Sequence, residues 1–206
     1  MKIFFKTILD MGFKRIKKRV FFELRKIIEK KIPSNILLKL TRCPSKVPPL
    51  SKKFKYFESK FKFPSKNFSS PKYIEFIFLN ERRSLSFPFK WNVKSRKKLW
   101  QFNLHYFDWI RDLINEFFIT GNWPIDSKYI EYIIDDWIDN NPIGKGDGWS
   151  SYTISLRCRN LIYLYRIFPK LLNEKRLKSL WEQIFWLKSH IEYCYGGNHL
   201  LENLIT

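Results

Sequence analysis

Asn198 and His199 stand side by side in Glu192-Tyr-Cys-Tyr-Gly-Gly-Asn-His-Leu-Leu-Glu-Asn203, so one short segment holds an amide, an imidazole and carboxylates. Those are parts from which acid–base chemistry is built. Asn198 also sits where a helix N-cap belongs, after Gly196-Gly197, and capping alone accounts for an Asn there. Glu192 and Asn203 either orient that pair or lie on a solvated helix face. A second segment, Gly148-Trp-Ser-Ser-Tyr-Thr-Ile-Ser-Leu-Arg157, offers Trp149 and Tyr152, whose rings can stack on a sugar or pack in a core. Arg157 can pair with a substrate carboxylate or sulfate, or bond to helix ends or to the acids of 135–139. His105, Asp108 and Asp112 share a helix face at i, i+3 and i+7. That spacing can hold a metal, although a solvated face fits the usual helix pattern better. No cofactor or metal is expected.

Other chemistries leave little trace. There is no Gly-rich phosphate loop, no GxSxG elbow and no HExxH. Three cysteines, Cys43, Cys158 and Cys194, leave one over in any disulfide scheme and show no CxxC spacing. Cys158 falls on an apolar stripe and reads as core.

The elements that must position these residues occupy the second half of 206 residues. Residues 1–100 hold 28 Lys/Arg against 6 Asp/Glu, a net of +22, whereas residues 101–206 hold 11 against 13, a net of −2. This is a basic arm followed by a near-neutral body. From Leu99 the apolar period is helical. The stripe Leu104, Phe107, Ile110, Ile114, Phe117 ends near Gly121, and Ile130, Ile133, Ile134, Trp137, Ile138 ends at Asn140-Asn141-Pro142. The stripe Ile154, Cys158, Leu161, Tyr165, Phe168 ends at Pro169, and a fourth from Leu177 to Ile191 ends at Gly196-Gly197. A fifth helix starts at Asn198 and has no stop signal by Thr206, so the chain is expected to be the front part of something longer. Short loops between successive helices predict a mainly α array.

In the arm, Phe13, Ile16, Val20, Leu24 and Ile27 predict a basic amphipathic helix over about 13–31. It suits either an anionic membrane surface or packing with a solvated basic face. Residues 33–71 read as an irregular Pro/Lys/Phe-rich connector, and 73–87 as a short β-hairpin around Asn80-Glu-Arg-Arg. Trp91 and Trp100 bracket a basic loop. The apolar run at the start is broken by Lys6 and Asp10, with no small-residue cleavage site, so it reads as uncleaved. The expected location is the cytoplasm, with the inner membrane face as a resting place.

Four linked motifs carry a family resemblance: Leu99-Trp100 with Asn103-Leu-His-Tyr-Phe-Asp108, Trp137-Ile138 with Asn141-Pro142, Gly148-Trp149 with Tyr152, Ser155 and Arg157, and Asn198-His-Leu with Asn203. In order and spacing, residues 75–206 resemble the N-terminal α-helical domain of the heparinase II/III-like polysaccharide lyases. The resemblance implies an incomplete (α/α) toroid, followed in full-length relatives by a β-sandwich domain. It also implies β-elimination on an acidic, uronate-containing polysaccharide. The proton at C5 is abstracted only if donors neutralise the adjacent carboxylate and a base lies in reach. Asn198 matches the carboxylate-neutralising Asn and His199 the histidine beside it. The family's tyrosine lies downstream of this motif. Tyr152, Tyr193 and Tyr195 do not match it, and the fragment alone is expected to be inactive. The missing half is then a candidate separate chain. Trp149, Tyr152, Arg157 and His105 are expected to face the glycan. The alternative is a non-catalytic basic module for a membrane surface through residues 1–31 or for nucleic acid. Nucleic acid is disfavoured because the helical half is near neutral and carries no recognised motif.

Overall fold

The computed structural model describes residues 12–46, 73–92, 98–122, 127–171 and 173–206. The start of the chain, most of the Pro/Lys/Phe connector and the basic loop after Trp91 lie outside the described residues. The rest is mainly helical, with one small antiparallel sheet. Among the described residues no helix is long and apolar enough to cross a membrane.

Helix α1 spans Phe13–Lys31, where the sequence places it. It stops at Ile32, which is extended because Pro33 follows. Where an irregular connector was expected, Ser34–Thr41 forms helix α2. Its Leu37 is buried, and Arg42 closes it in the left-handed region. Strands β1 (Tyr73–Phe78) and β2 (Glu81–Ser86) form the hairpin, with Phe78 opposite Glu81. The turn is tighter than the expected four residues. Leu79 and Asn80 both take positive φ, the two-residue geometry that matches strand twist. Ile74, Phe76 and Phe78 alternate inward, and Phe78 meets the Trp100 ring edge-on at 5.2 Å.

The stripe from Leu104 to Phe117 is one period but two helices, α3 (Lys98–Tyr106) and α4 (Asp108–Thr120). Phe107 between them sits at φ 61° with its ring fully buried. Tertiary packing of that ring holds a conformation that bulky residues rarely adopt. Helix α5 (Ser127–Asn140) follows, then a 3-10 turn over Asp147–Trp149 and helix α6 (Ser151–Ile167). Helix α7 (Glu174–Ser189) begins at Asn173, whose side-chain oxygen accepts the Arg176 N–H at 3.0 Å. It ends at Ser189, short of the expected Gly196-Gly197. Helix α8 covers Gly197–Ile205.

Helix α6 is the centre: α3, α4, α7 and α8 all pack on it. A helix touched on all sides should be buried all round, and from Thr153 to Cys158 every residue is buried. Several of its buried polar side chains bond to neighbouring segments. Ser151 Oγ donates to the His190 carbonyl at 2.6 Å, and Asn160 Nδ2 to the Tyr106 carbonyl at 2.8 Å. Asp136 of α5 receives the Phe89 N–H at 3.2 Å and the Trp91 indole N–H at 2.7 Å, fastening the segment after the hairpin to the helices.

The most demanding buried group is Arg157. Fully inaccessible to solvent, it donates from Nε to Gln183 Oε1 at 2.7 Å, from Nη1 to the His105 carbonyl at 3.0 Å and from Nη2 to the Gly148 carbonyl at 2.7 Å. Its carbon centre lies 3.8 Å from the Trp137 ring centroid, a desolvated cation–π contact. Removing the guanidinium leaves three buried acceptors unmet, at about 1–3 kcal/mol each. Arg157→Met is therefore expected to lower the denaturant midpoint sharply, and Arg157→Lys to restore little, since one ammonium nitrogen does not span the positions of the three separate guanidinium nitrogens. A lysine variant as stable as the parent in urea unfolding would contradict this.

Candidate functional site

Helix α8 rises from the left-handed Gly196 at φ 66°, so the cap is Gly196 and Asn198 lies inside the first turn. Asn198 and His199 are both exposed. The His199 ring is held rather than free. Its Nδ1 lies 2.9 Å from Glu192 Oε2, and its face lies 4.6 Å from the Tyr152 ring centroid. Glu192 is itself buried and fixed, since its N–H donates to Asn203 Oδ1 at 2.9 Å. Asn203 Nδ2 in turn donates to Ser155 Oγ of α6 at 3.0 Å. A chain of contacts thus runs from the central helix through Asn203 and Glu192 to an imidazole at the surface. Glu192 and Asn203 therefore act as orienting residues, the first of the two readings their sequence allows. A carboxylate behind an imidazole fixes its tautomer and orientation, an arrangement suited to moving a proton.

Tyr152 stands half-buried between His199 and Tyr106. Burial and then the nearby Glu202 carboxylate push its phenol pKa up, with Arg159 opposing. Its hydroxyl is therefore protonated at neutral pH. The Tyr195 phenol is pushed up as well, by burial and by its hydrogen bond to the Glu23 carboxylate.

The other expected site residues lie elsewhere. Trp149 is buried, its indole N–H donates to the Asn141 carbonyl at 3.0 Å, and its ring packs among Trp137 and Trp186. It contributes to a cleft wall but not a free stacking face. Arg157 is in the core, with its donors committed to the protein. Burial pushes its pKa down to about 9, which still leaves it charged at neutral pH. His105 is also fully buried. Its Nδ1 accepts the Trp137 indole N–H at 3.0 Å, so the ring proton sits on Nε2, towards the Trp91 carbonyl. Burial and the Arg157 charge push its pKa down to about 3, so it is a neutral structural imidazole. Expected at the glycan, Arg157 and His105 instead brace the core. The metal spacing through His105 and Asp108 falls with them, since Asp108 Oδ1 accepts from Asn160 at 3.0 Å. Cys158 is buried and its thiol is pushed up to about 12, and burial raises Cys194 too, so neither is an activated nucleophile.

A cleft of about 360 Å³ lies beside this cluster, between α1 and the body. Trp149, Ser150, Ser151, Trp186 and Glu192 form one side, and Phe22, Lys26, Glu29 and Lys30 the other. Glu192 therefore faces both the cleft and His199. The charge lining it is mixed, three lysines (with Lys98) against Glu29, Asp147 and Glu192. Across the cleft end, His190 Nε2 meets Glu29 Oε1 at 2.9 Å, its Nδ1 donates to the Trp186 carbonyl at 2.8 Å, and its ring stacks on Trp186 at 3.9 Å. Sequence reasoning passed over Glu29 and His190, because a pair 161 residues apart has no local signature. Comparison with family models, with curated proteins and with solved structures found no match to this chain.

The Glu29–His190 pair makes the docking of α1 sensitive to acid. Burial alone would raise the Glu29 pKa, but the His190 hydrogen bond and charge, with Arg25 beside them, hold it below its ordinary 4.5. Stability from this group is therefore present above the ordinary carboxylate range and is lost as pH falls through the depressed value. Amide exchange over residues 13–31, taken relative to the intrinsic rate at each pH, is expected to accelerate below about pH 4. Glu29→Gln should show that faster exchange already at neutral pH; unchanged exchange in both cases would contradict the docking role.

Proposed function

We propose that this chain is the N-terminal helical part of a polysaccharide lyase of the heparinase II/III-like kind, binding an anionic, uronate-containing glycan at Asn198 and His199. The observation that carries the reading is the exposed imidazole of His199 backed by buried Glu192, with the Asn198 amide beside it on the same helical turn. The packing of α3, α4, α7 and α8 around α6 is what supports an incomplete (α/α) toroid.

In this reading the Asn198 amide donates to the uronate carboxylate, drawing charge off it so that the C5 proton becomes acidic enough to leave. Elimination then moves the C5–H electron pair into a C4=C5 double bond, breaks the C4–O bond and leaves a proton to be supplied to the departing sugar oxygen. His199, oriented by Glu192, is the group here that can carry a proton between substrate and protein. A phenolate-strength base is not supplied by Tyr152 or Tyr195, since both phenols are held protonated. In this reading the chain by itself is expected to bind glycan without cleaving it.

With an oligouronate as probe, the purified chain should show saturable binding, and Asn198→Ala and His199→Ala should each weaken it about tenfold, the scale of one hydrogen bond to a charged group. The same samples should develop no ultraviolet absorbance from unsaturated uronate. Binding that both variants leave intact would refute the site, and turnover by the parent would refute the assignment of the chain as a binding portion only.

A further inference from the structure

Helix α1 is docked by its polar side. Arg15 donates to the Cys194 and Tyr195 carbonyls at 3.3 and 3.1 Å, and Arg25 to the Ser189 carbonyl at 2.6 Å. Glu29 holds His190, Glu23 accepts from the Tyr195 hydroxyl, and Phe22 meets the Tyr195 ring edge-on. Lys145 caps the helix, its Nζ donating to the carbonyls of Glu29, Lys30 and Ile32 at 3.1, 2.8 and 2.6 Å. At 100° per residue, these docking positions centre on one side of the helix, and the apolar residues lie on the other.

Among the described residues that other side has no partner. Phe13 is 82% exposed, Phe21 69%, Ile28 59%, and Val20, Leu24 and Ile27 are each more than half exposed. The stripe that the sequence marks as a candidate packing face thus points away from the body. Its charges are of one sign. Lys17 and Lys31 fall within the apolar arc, and Lys18 and Lys30 flank it, all exposed. Both acids of the helix, Glu23 and Glu29, are turned towards the body and used there. An exposed apolar arc that holds only cations, with Glu23 at its edge already engaged by Tyr195 and Lys26, fits the boundary of an anionic bilayer, where the side chains enter the acyl edge and the ammonium groups meet phosphate. A second copy of the same face would bring like charges together, and a nucleic acid, whose bases can stack on the phenylalanines, leaves the aliphatic Val20, Leu24, Ile27 and Ile28 uncovered.

We propose that the outward face of α1 docks this protein on an anionic phospholipid surface, lying in the interface plane, with the body and its cleft held beside the membrane. The surface is separate from Asn198 and His199, so the proposal stands independently of the glycan reading.

The test is vesicle flotation with the purified full chain. Vesicles of phosphatidylcholine mixed with phosphatidylglycerol should carry the protein upward, vesicles of phosphatidylcholine alone should not, and added salt should weaken the binding. Leu24→Glu with Ile28→Glu should weaken it at least about tenfold. Lys17→Glu with Lys31→Glu should do so by about tenfold or more. All four side chains are exposed, so the variants should keep the parent's circular dichroism and unfolding midpoint. Failure of the folded parent to float with the anionic vesicles would overturn the proposal, as would flotation unaltered by either double variant. So would an apolar-face-dependent dimer, or oligonucleotide binding in place of vesicle binding.

Discussion

Arg157 places a full charge where water does not reach, and the surrounding helices are arranged to receive it. Its three donor directions reach α7 through Gln183, the end of α3 through the His105 carbonyl and the 3-10 turn through the Gly148 carbonyl. Those three segments also share the apolar core, Trp149 against Trp186 among its contacts, and the guanidinium adds the directional bonds between them. Trp137 closes the remaining face and gives its indole N–H to His105, which stays neutral as a result of its burial and the nearby cation. The space is tight: a methyl group on Gly148 would come within 2.9 Å of the His105 ring. A buried ion of this kind is costly unless every donor is met, and here bond geometry adds to apolar packing in specifying the arrangement.

The site depends on that core at one remove. Helix α6 carries Arg157 inward and, half a turn earlier, Ser155 towards Asn203. Asn203 fixes the backbone at Glu192, and Glu192 fixes the imidazole of His199. The exposed His199 ring therefore stands on a rigid element through a relay of short polar contacts. Positioning by buried hydrogen bonds is what makes an exposed side chain precise enough for recognition.

Helix spans were legible because apolar period, Pro and Gly are local signals. The bounds of α1 follow from residues next to them in the chain, whereas α8 is capped by Gly196 and starts one residue before the expected Asn198. What sequence could not give was direction. A period names a stripe, and the stripe of α1 turned outward because arginines, a lysine cap and a carboxylate–imidazole pair bind its opposite side more specifically than the apolar side could pack. Arg157 and His105 have residue types that suit a glycan as well as a core, and only the shared burial with Trp137 separates the two. The break at Phe107 was equally hidden, since both helices keep one period across it. His199 could be singled out, but its carboxylate partner sits seven residues away across a glycine turn.

The account rests on Asn198 and His199 being a recognition point built on α8. The most direct measurement is nuclear magnetic resonance of the labelled chain during addition of an oligouronate. The side-chain amide of Asn198 and the ring of His199 should shift saturably and together, while the Arg157 guanidinium signals in the core stay in place. Shifts confined to the lysines of α1, or none at Asn198 and His199 as the glycan saturates, would contradict it.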